Sequence, residues 1–371
     1  MRRERLVPRA DWQAKVEALG LSFHTGDGVP YWCEDACYAF SVAEIDGIES
    51  ATKRLHDTCL TAAERLIVRG DLDRLRVPEA FWPWIAESWR RRDPDLYGRF
   101  DLAFGDIGAP KLLEYNADTP TALLEAAVVQ WYWLEEVKPA ADQFNSLHER
   151  LIDGWKDIRA RVAPDGPVHF AGVTEEPEDL VTLDYMRDVC RQAGLETEQL
   201  DISEIGWNGH DFTDLAERPI RMLFKLYPWE WLLQEEFAPH LLSDKTLFLE
   251  PPWKMVLSTK AILPILWEMH PGHPNLLPAS FRRENFTGAC VEKPFHGREG
   301  VGIRLLAGGD EDRTDGQPCI WQGYTPLPRF DGRHALIGSW IVRGEPAGVG
   351  IREDASPITG NASLFVPHYF E

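Results

Sequence analysis

Arg99-Phe100-Asp101-Leu102-Ala103-Phe104 and, after a short turn, Leu112-Leu113-Glu114-Tyr115-Asn116-Ala117-Asp118-Thr119-Pro120-Thr121 decide how this chain is read. Residues 100–104 and 112–116 predict two short strands, and the glycine- and proline-containing stretch 105–110 predicts the hairpin loop between them. Side chains two apart on a strand share a face, so Arg99 and Asp101 look one way, and Glu114 and Asn116 do likewise. Paired as a hairpin, Asp101, Glu114 and Asn116 can converge as three oxygen ligands. Hard oxygen donors that leave room for water and phosphate suit Mg²⁺ rather than zinc. An edge hairpin with its polar residues in water has the same spacing. Directly beyond, Thr119 and Pro120 predict an N-cap and a first-turn proline that open an apolar helix over 122–137. The free N–H groups of such a start favour an anion beside Arg99, although a simply capped helix accounts for the pattern too.

Further along, Val291-Glu292-Lys293-Pro294-Phe295-His296-Gly297-Arg298-Glu299-Gly300-Val301-Gly302 predicts a strand ending in lysine, a loop with three glycines and a second strand. Glycine lets backbone amides approach phosphate, and lysine adds a point charge. The pattern is neither a P-loop nor a dinucleotide fingerprint, and an ordinary glycine-rich turn also reads this way. Gly350-Ile351-Arg352-Glu353-Asp354, with Asn361 after it, places a guanidinium at a strand end, where it suits a transferring phosphoryl group or a surface ion pair. Glu175-Glu176 follows a predicted strand over 168–173, at the end where α/β sheets bind ligands, and can hold an amine or form a solvated loop.

The remaining chain predicts a helix over 11–20 capped by Asp11, and a longer one opened by Ser41 and Glu44 at capping-box spacing and closed by Gly70. A third helix is expected over 81–91. The middle reads as α/β, with helix 180–194 and strand 221–227; helix 258–270 and strands near 289–293, 301–305, 319–322, 334–342 and 347–353 follow. A chain of 371 residues suits one large domain or a few tightly joined lobes, here read as 1–165, 166–250 and 251–371. A net charge of −21 and no basic stripe argue against a nucleic-acid partner. No run of about 18 apolar residues predicts a membrane span, and the charged Met1-Arg2-Arg3-Glu4-Arg5 lacks the apolar segment of a secretion signal, so a cytoplasmic protein is expected. The six cysteines form no C-x-x-C pair and suit free thiols in a reducing compartment; Cys33 and Cys37 are spaced to face each other on one helical turn. Most of the fifteen tryptophans are expected in the core.

Taken in this order, the hairpin run through Thr121, Pro30-Tyr31-Trp32, Phe224-Lys225-Leu226-Tyr227-Pro228-Trp229-Glu230-Trp231, Lys260-Ala261-Ile262-Leu263-Pro264, Glu292-Lys293-Pro294 and the closing Gly348-x-Gly350-Ile351-Arg352-Glu353-Asp354 … Pro367-His368-Tyr369 resemble glutathionylspermidine synthase-like proteins over nearly the whole chain. The resemblance implies an α/β ATP-grasp fold of permuted order with an adjoining α/β lobe, and a ligase that joins a peptide-like acid to an amine or polyamine through an acyl phosphate. It implies that Asp101, Glu114 and Asn116 hold Mg²⁺, that Lys260 and Lys293 hold the ATP phosphates, and that Gly297, Gly300 and Gly302 belong to a lid over them. By the same carry-over Gln322 lies near the adenine, Arg99 and Arg352 stabilise phosphoryl transfer, Thr119 and Thr121 meet the acid, and Glu175 and Glu176 meet the amine. The bifunctional members have an additional amidase domain for which this chain is too short, and serines where Thr119 and Thr121 stand. A nucleotide-binding relative with lost or narrowed ligase activity is the rival reading. A carbohydrate enzyme with Asp101 and Glu114 as its carboxylate pair leaves Lys293 and the glycine loop unexplained.

Overall fold

Strand Tyr97–Ala103 runs antiparallel to Lys111–Asn116, with Arg99 opposite Asn116 and Asp101 opposite Glu114. The register then slips, so that Leu102 faces Leu112 and a bulge turns the strand at the point where its carboxylates gather. The other edge of Tyr97–Ala103 pairs with Arg333–Val342, which pairs with Glu345–Asp354 and through it with Leu364–Val366. Arg329–Phe330 completes this six-stranded sheet. The computed structural model describes residues 1–371 apart from 27, 106–107, 299, 308–315 and 361–362. Parts of the predicted hairpin loop, the glycine loop's Glu299, and Asn361 therefore lie outside the described residues.

Helix Val42–Arg69 packs across this sheet. Its capping box forms as expected: the Ser41 hydroxyl accepts from the Glu44 N–H, and the Glu44 carboxylate accepts from the Ser41 N–H. Ile45, Ile48, Leu55, Ala63, Leu66 and Ile67 are all buried, which follows from their helical spacing. A buried hydroxyl pair, Thr52 with Ser339 at 2.6 Å, fixes the helix against the sheet. Helix Trp82–Arg91 matches its expected position.

The middle of the chain forms a parallel sheet in the order Leu247–Leu249, Met222–Leu226, Val168–Gly172, Thr197–Asp201. Helix Pro177–Gln192 links its third and fourth strands, as parallel pairing requires a crossover. An antiparallel sheet of Ala279–Ser280, Cys319–Gly323, Cys290–Pro294 and Arg304–Leu306 faces the hairpin, and Arg2–Arg5, Ala36–Phe40 and His368–Phe370 make a small separate sheet of three strands. Trp32, Trp133, Trp155, Trp229 and Trp340 are fully buried and Trp84 and Trp253 nearly so, while Trp131 and Trp231 are exposed. Each buried ring contributes on the order of 1.5–3 kcal/mol by leaving water. No helix among the described residues is long and apolar enough to cross a membrane.

Four local expectations are corrected. The segment after the hairpin stays extended through residue 121, Ala122 takes a left-handed φ of 64°, and the expected helix follows from residue 123, with a π turn at Glu125–Val129 continued by Gln130–Val137. Thr119 is thus no N-cap and Pro120 no first-turn residue. The cause is tertiary: Arg99 Nη1 donates to the Thr121 carbonyl at 2.7 Å and the Tyr97 hydroxyl to the Pro120 carbonyl at 3.4 Å, taking acceptors that a helix would use. Asp11 precedes helix Trp12–Ala18 but has a left-handed φ of 56° and makes no side-chain cap. Cys37 lies in strand Ala36–Phe40, so Cys33 and Cys37 share no helical turn, and both are buried free thiols. Helix Ile262–Met269 starts later than expected because Lys260 is held ahead of it, its N–H bonded to the Phe295 carbonyl at 2.9 Å.

Candidate active site

A cavity of about 920 Å³ opens where the hairpin, the antiparallel sheet and the end of the parallel sheet meet. Arg99, Asp101, Glu114, Asn116, Thr119 and Thr121 line it from the hairpin and the extended segment beyond. Lys260, Lys293, Gly297, Gly300 and Gln322 line the opposite side, Arg352 reaches in from strand Glu345–Asp354, and Glu176 is also part of the lining. Glu175 and Gly302 are not part of the lining.

The charged groups interlock. Asp101 is gripped from two sides, by Arg99 Nε at 2.7 Å and by Arg352 Nη2 at 2.9 Å. Burial works against the Arg99 charge, but Asp101 outweighs it and raises the guanidinium pKa. Arg99 also lies over the Trp340 ring at 5.6 Å, beside Gly338, where a Cβ would come within 2.8 Å of the Arg99 Cδ. Gly338 sits opposite Asp101 in the sheet, so its missing side chain is the space that the Arg99 stem fills.

Glu114 accepts from Lys260 Nζ at 3.1 Å and from Asn116 Nδ2 at 3.2 Å. Burial pushes its carboxyl up, yet the Lys260 and Lys293 cations prevail and hold it at about 2. Lys260 donates in addition to the Gly297 carbonyl at 2.7 Å, which ties the glycine loop to the same cluster. Lys293 donates to the Leu113 carbonyl at 2.8 Å, and burial pulls its pKa down to about 8. Gln322 Nε2 donates to the Leu112 carbonyl at 2.9 Å. Gly300, at φ 71°, turns the loop against Thr359 so closely that a Cβ would stand 2.6 Å from the Thr359 carbonyl oxygen.

The extended segment is fastened from behind. Asp118 accepts from Lys225 Nζ at 2.5 Å and from the Trp229 N–H at 2.9 Å, and the ammonium lies 4.2 Å from the Trp229 ring centre. This joins the hairpin to strand Met222–Leu226. Arg298, Glu178, Asp179 and Glu230 also line the cavity, and the sequence reading assigned none of them a role. Arg298 lay within the quoted glycine loop. Glu178 and Asp179 fall in the first turn of helix Pro177–Gln192, immediately past Glu175-Glu176. One turn beyond Thr121, burial pushes Glu125 up to about 7 although the Tyr31 hydroxyl donates to it at 2.6 Å.

Four cations surrounding two carboxylates and an amide, with a glycine loop alongside, form a wall suited to a polyphosphate. Residues 3–371 match the family described as glutathionylspermidine synthase preATP-grasp. The chain belongs to that family. It is 41% identical over 384 residues to a Haemophilus influenzae protein named "Putative acid–amine ligase", covering 98% of this chain and 97% of that one. It is 30% identical over 348 residues to the trypanothione synthetase of Crithidia fasciculata, covering 84% of this chain but only 53% of the relative. The chain therefore spans about half the length of that protein. A solved glutathione synthetase-like effector from Globodera pallida superposes with a TM-score of 0.59 at 11% identity, over 99% of this chain and 98% of that one, a likeness of fold. Membership in the glutathionylspermidine synthase preATP-grasp family makes this an α/β ATP-grasp protein and an ATP-dependent carbon–nitrogen ligase.

Proposed function

We propose that this site uses Mg²⁺ and ATP to join a peptide-like carboxylate to an amine or polyamine by way of an acyl phosphate. The observation that carries the reading is the convergence of Arg99, Arg352, Lys260 and Lys293 with Asp101, Glu114 and Asn116 around one cavity. The donor set of two carboxylates and an amide, all oxygen and all on adjacent strands, fits Mg²⁺. Bound there, the metal would neutralise charge on the phosphates during transfer. Lys260 and Lys293 bind and orient the triphosphate, the loop 297–302 covers it, and Gln322 lies where a purine edge can be read. Arg99 and Arg352 hold the charge that develops on the transferring phosphoryl group.

The acid lies along Thr119–Thr121 with its carboxylate toward Arg99. A carboxylate oxygen attacks the γ-phosphorus and ADP leaves. The amine nitrogen then attacks the acyl carbon and inorganic phosphate departs, with the amine's proton passing to solvent or to the leaving phosphate. Glu176, with Glu175 beside it, supplies negative charge for a cationic amine. The test is a screen of γ-glutamyl and other small peptides against polyamines and amino acids, read as ADP release, with hydroxylamine in place of the amine to trap the activated acid as a hydroxamate. ADP, phosphate and a hydroxamate are expected. AMP formation with a stimulating pair would overturn the mechanism, and silence across the screen would favour a nucleotide-binding relative without this activity.

A further inference from the structure

We infer that His296 is the base that takes the amine's proton as the amide forms, with Glu230 as the carboxylate that orients its ring. The inference rests on the ligase reading above and assigns a group to the proton transfer that it leaves to solvent or phosphate.

His296 stands between the end of strand Cys290–Pro294 and Gly297, whose carbonyl holds Lys260. Among the described residues it is the one histidine that lines the cavity. Its Nδ1 is closed off from solvent and has no hydrogen-bond partner there, yet the side chain as a whole is 37% exposed. The edge turned to the cavity is therefore the one that carries Nε2. A buried ring nitrogen without a partner costs about 1–3 kcal/mol. The acceptor that relieves it is at hand, because Glu230 Oε1 stands 3.7 Å from Nδ1. That is just outside hydrogen-bond distance, as catalytic pairs often are before substrate draws them together. Closing the gap puts the proton on Nδ1 and the lone pair on Nε2, since the bond that one ring nitrogen makes decides the state of the other.

Glu230 is well placed to orient the ring. Its short helix, Trp229–Leu232, is anchored at Trp229, whose N–H donates to Asp118 at 2.9 Å and whose ring is buried. The loop meets the same helix a second time, where Arg298 lies over the Trp231 ring at 5.6 Å. Burial pushes the Glu230 carboxyl up and Asp118 adds to this, while Lys225 and Arg298 oppose it. Burial, and after it Lys260, draws His296 down to about 4, so the ring is neutral at physiological pH and its lone pair is free. Phosphate held at Lys260 offsets the second cause and makes the ring more basic at the stage where the amine attacks. Asp101 and Glu114 are already engaged by cations.

The step then balances. The amine nitrogen bonds to the acyl carbon as the carbon–oxygen bond to phosphate breaks. The nitrogen keeps the N–H electrons, and its proton passes to Nε2. The imidazolium, paired through Nδ1 with Glu230, gives that proton to the released phosphate and returns to neutral.

The test compares wild type, His296→Ala and Glu230→Gln as full chains with Mg²⁺ and ATP, glutathione as the acid, and either spermidine or hydroxylamine as the amine. Amide, hydroxamate and ADP are measured, with thermal unfolding as the check on folding. Where glutathione releases no ADP in wild type, the peptide of the screen that does so replaces it. Hydroxylamine is a weak base, largely unprotonated at neutral pH, so its nitrogen sheds a proton with little help. His296→Ala should form the spermidine amide about 100-fold more slowly, as for a lost general base, while hydroxamate formation and nucleotide affinity stay near wild type. Free imidazole should restore part of the amide rate in His296→Ala and none in Glu230→Gln, whose loss should be smaller. Should the alanine variant not fold, His296→Gln, which keeps the bulk but supplies no base, is read through the same amide-to-hydroxamate ratio. Equal losses with spermidine and hydroxylamine would make His296 a support of the loop and overturn the inference. So would an unchanged amide rate in His296→Ala, or weaker ATP binding with an unchanged ratio. No ADP from any acid in wild type would end the ligase reading and this inference with it, whereas the other failures leave that reading intact.

Discussion

Lys260 and Glu114 hold one another at 3.1 Å across the cavity wall, the lysine from just ahead of helix Ile262–Met269 and the carboxylate from the hairpin. On the proposed reading, a divalent cation and a phosphate compete for groups already engaged with each other. Removing Glu114 therefore has two effects of opposite sign. Glu114→Ala should lower Mg²⁺-dependent turnover by about 100-fold or more, because a charged ligand to the metal is gone. Nucleotide affinity should change far less, since Lys260 is released toward the phosphates. Asn116→Ala should act in the same direction more mildly. Steady-state turnover against Mg²⁺ concentration, with calorimetry of ATP binding, checks this; normal turnover in Glu114→Ala at ordinary Mg²⁺ would remove the hairpin from the metal site.

Lys293 should make nucleotide binding sensitive to alkaline pH. Burial holds its pKa at about 8, and phosphates raise it, so binding should draw in protons above that value. Calorimetry at pH 8.5 in buffers of different ionisation heat should show proton uptake, while at pH 7 it should be near zero. Without nucleotide the sign for stability is the reverse of a salt-bridged lysine. Between about 8 and the unfolded value near 10.4, the unfolded chain keeps a proton that the folded chain has lost, and stability rises with pH across that window. Lys293→Met should abolish the uptake and weaken ATP binding severely while the fold persists. Unchanged nucleotide affinity in that variant would count against the assignment.

Gly338→Ala tests the support of Arg99. The added carbon would come within 2.8 Å of the Arg99 Cδ, so the arginine stem has to shift. Overpacking of this kind costs about 1–3 kcal/mol. Turnover should fall by more than stability alone explains, because Arg99 also holds Asp101 and the Thr121 carbonyl. Thermal unfolding with turnover at a temperature where both proteins are folded checks this, and an unchanged kcat would show that Arg99 tolerates the displacement.

Lys225→Met should leave Asp118 buried beside the cavity with its cation gone. A broken buried pair costs about 3–5 kcal/mol, and here it also releases the segment that carries Thr119 and Thr121. Denaturant unfolding should show most of that loss. A double variant with Asp118→Leu should recover part of it, because both charges are then absent. Additive losses would mean that the two residues act separately.

The hairpin was legible because its signals are local: a two-residue alternation, a glycine-rich turn and a chemically unusual set of side chains. Helix Val42–Arg69 was legible for the same reason, through its capping box and spacing. The extended path of residues 119–121 was not, because Arg99 and Tyr97, more than twenty positions earlier, bond to its carbonyls. Strand Ala36–Phe40 is buried on both faces and so shows no alternation to read. Helix Leu147–Val162 escaped notice despite its amphipathic spacing. In the site, Arg99, Asp101, Glu114 and Asn116 stand out in the sequence by residue type, whereas the Lys225–Asp118 pair behind them joins residues 107 positions apart and shows only in the folded chain.

The six-stranded sheet sets a timetable for synthesis. Asp101 meets Arg352 across 251 positions of sequence, and strand Tyr97–Ala103 cannot find its neighbour Arg333–Val342 until most of the chain has left the ribosome. At about 5–20 residues per second that interval is on the order of tens of seconds. During it the hairpin has an unpaired sheet edge, and Asp101 has Arg99 beside it but not yet Arg352. Nascent chains arrested before residue 333 should therefore be the species that folding helpers protect, and nucleotide binding should appear only after the last strands emerge.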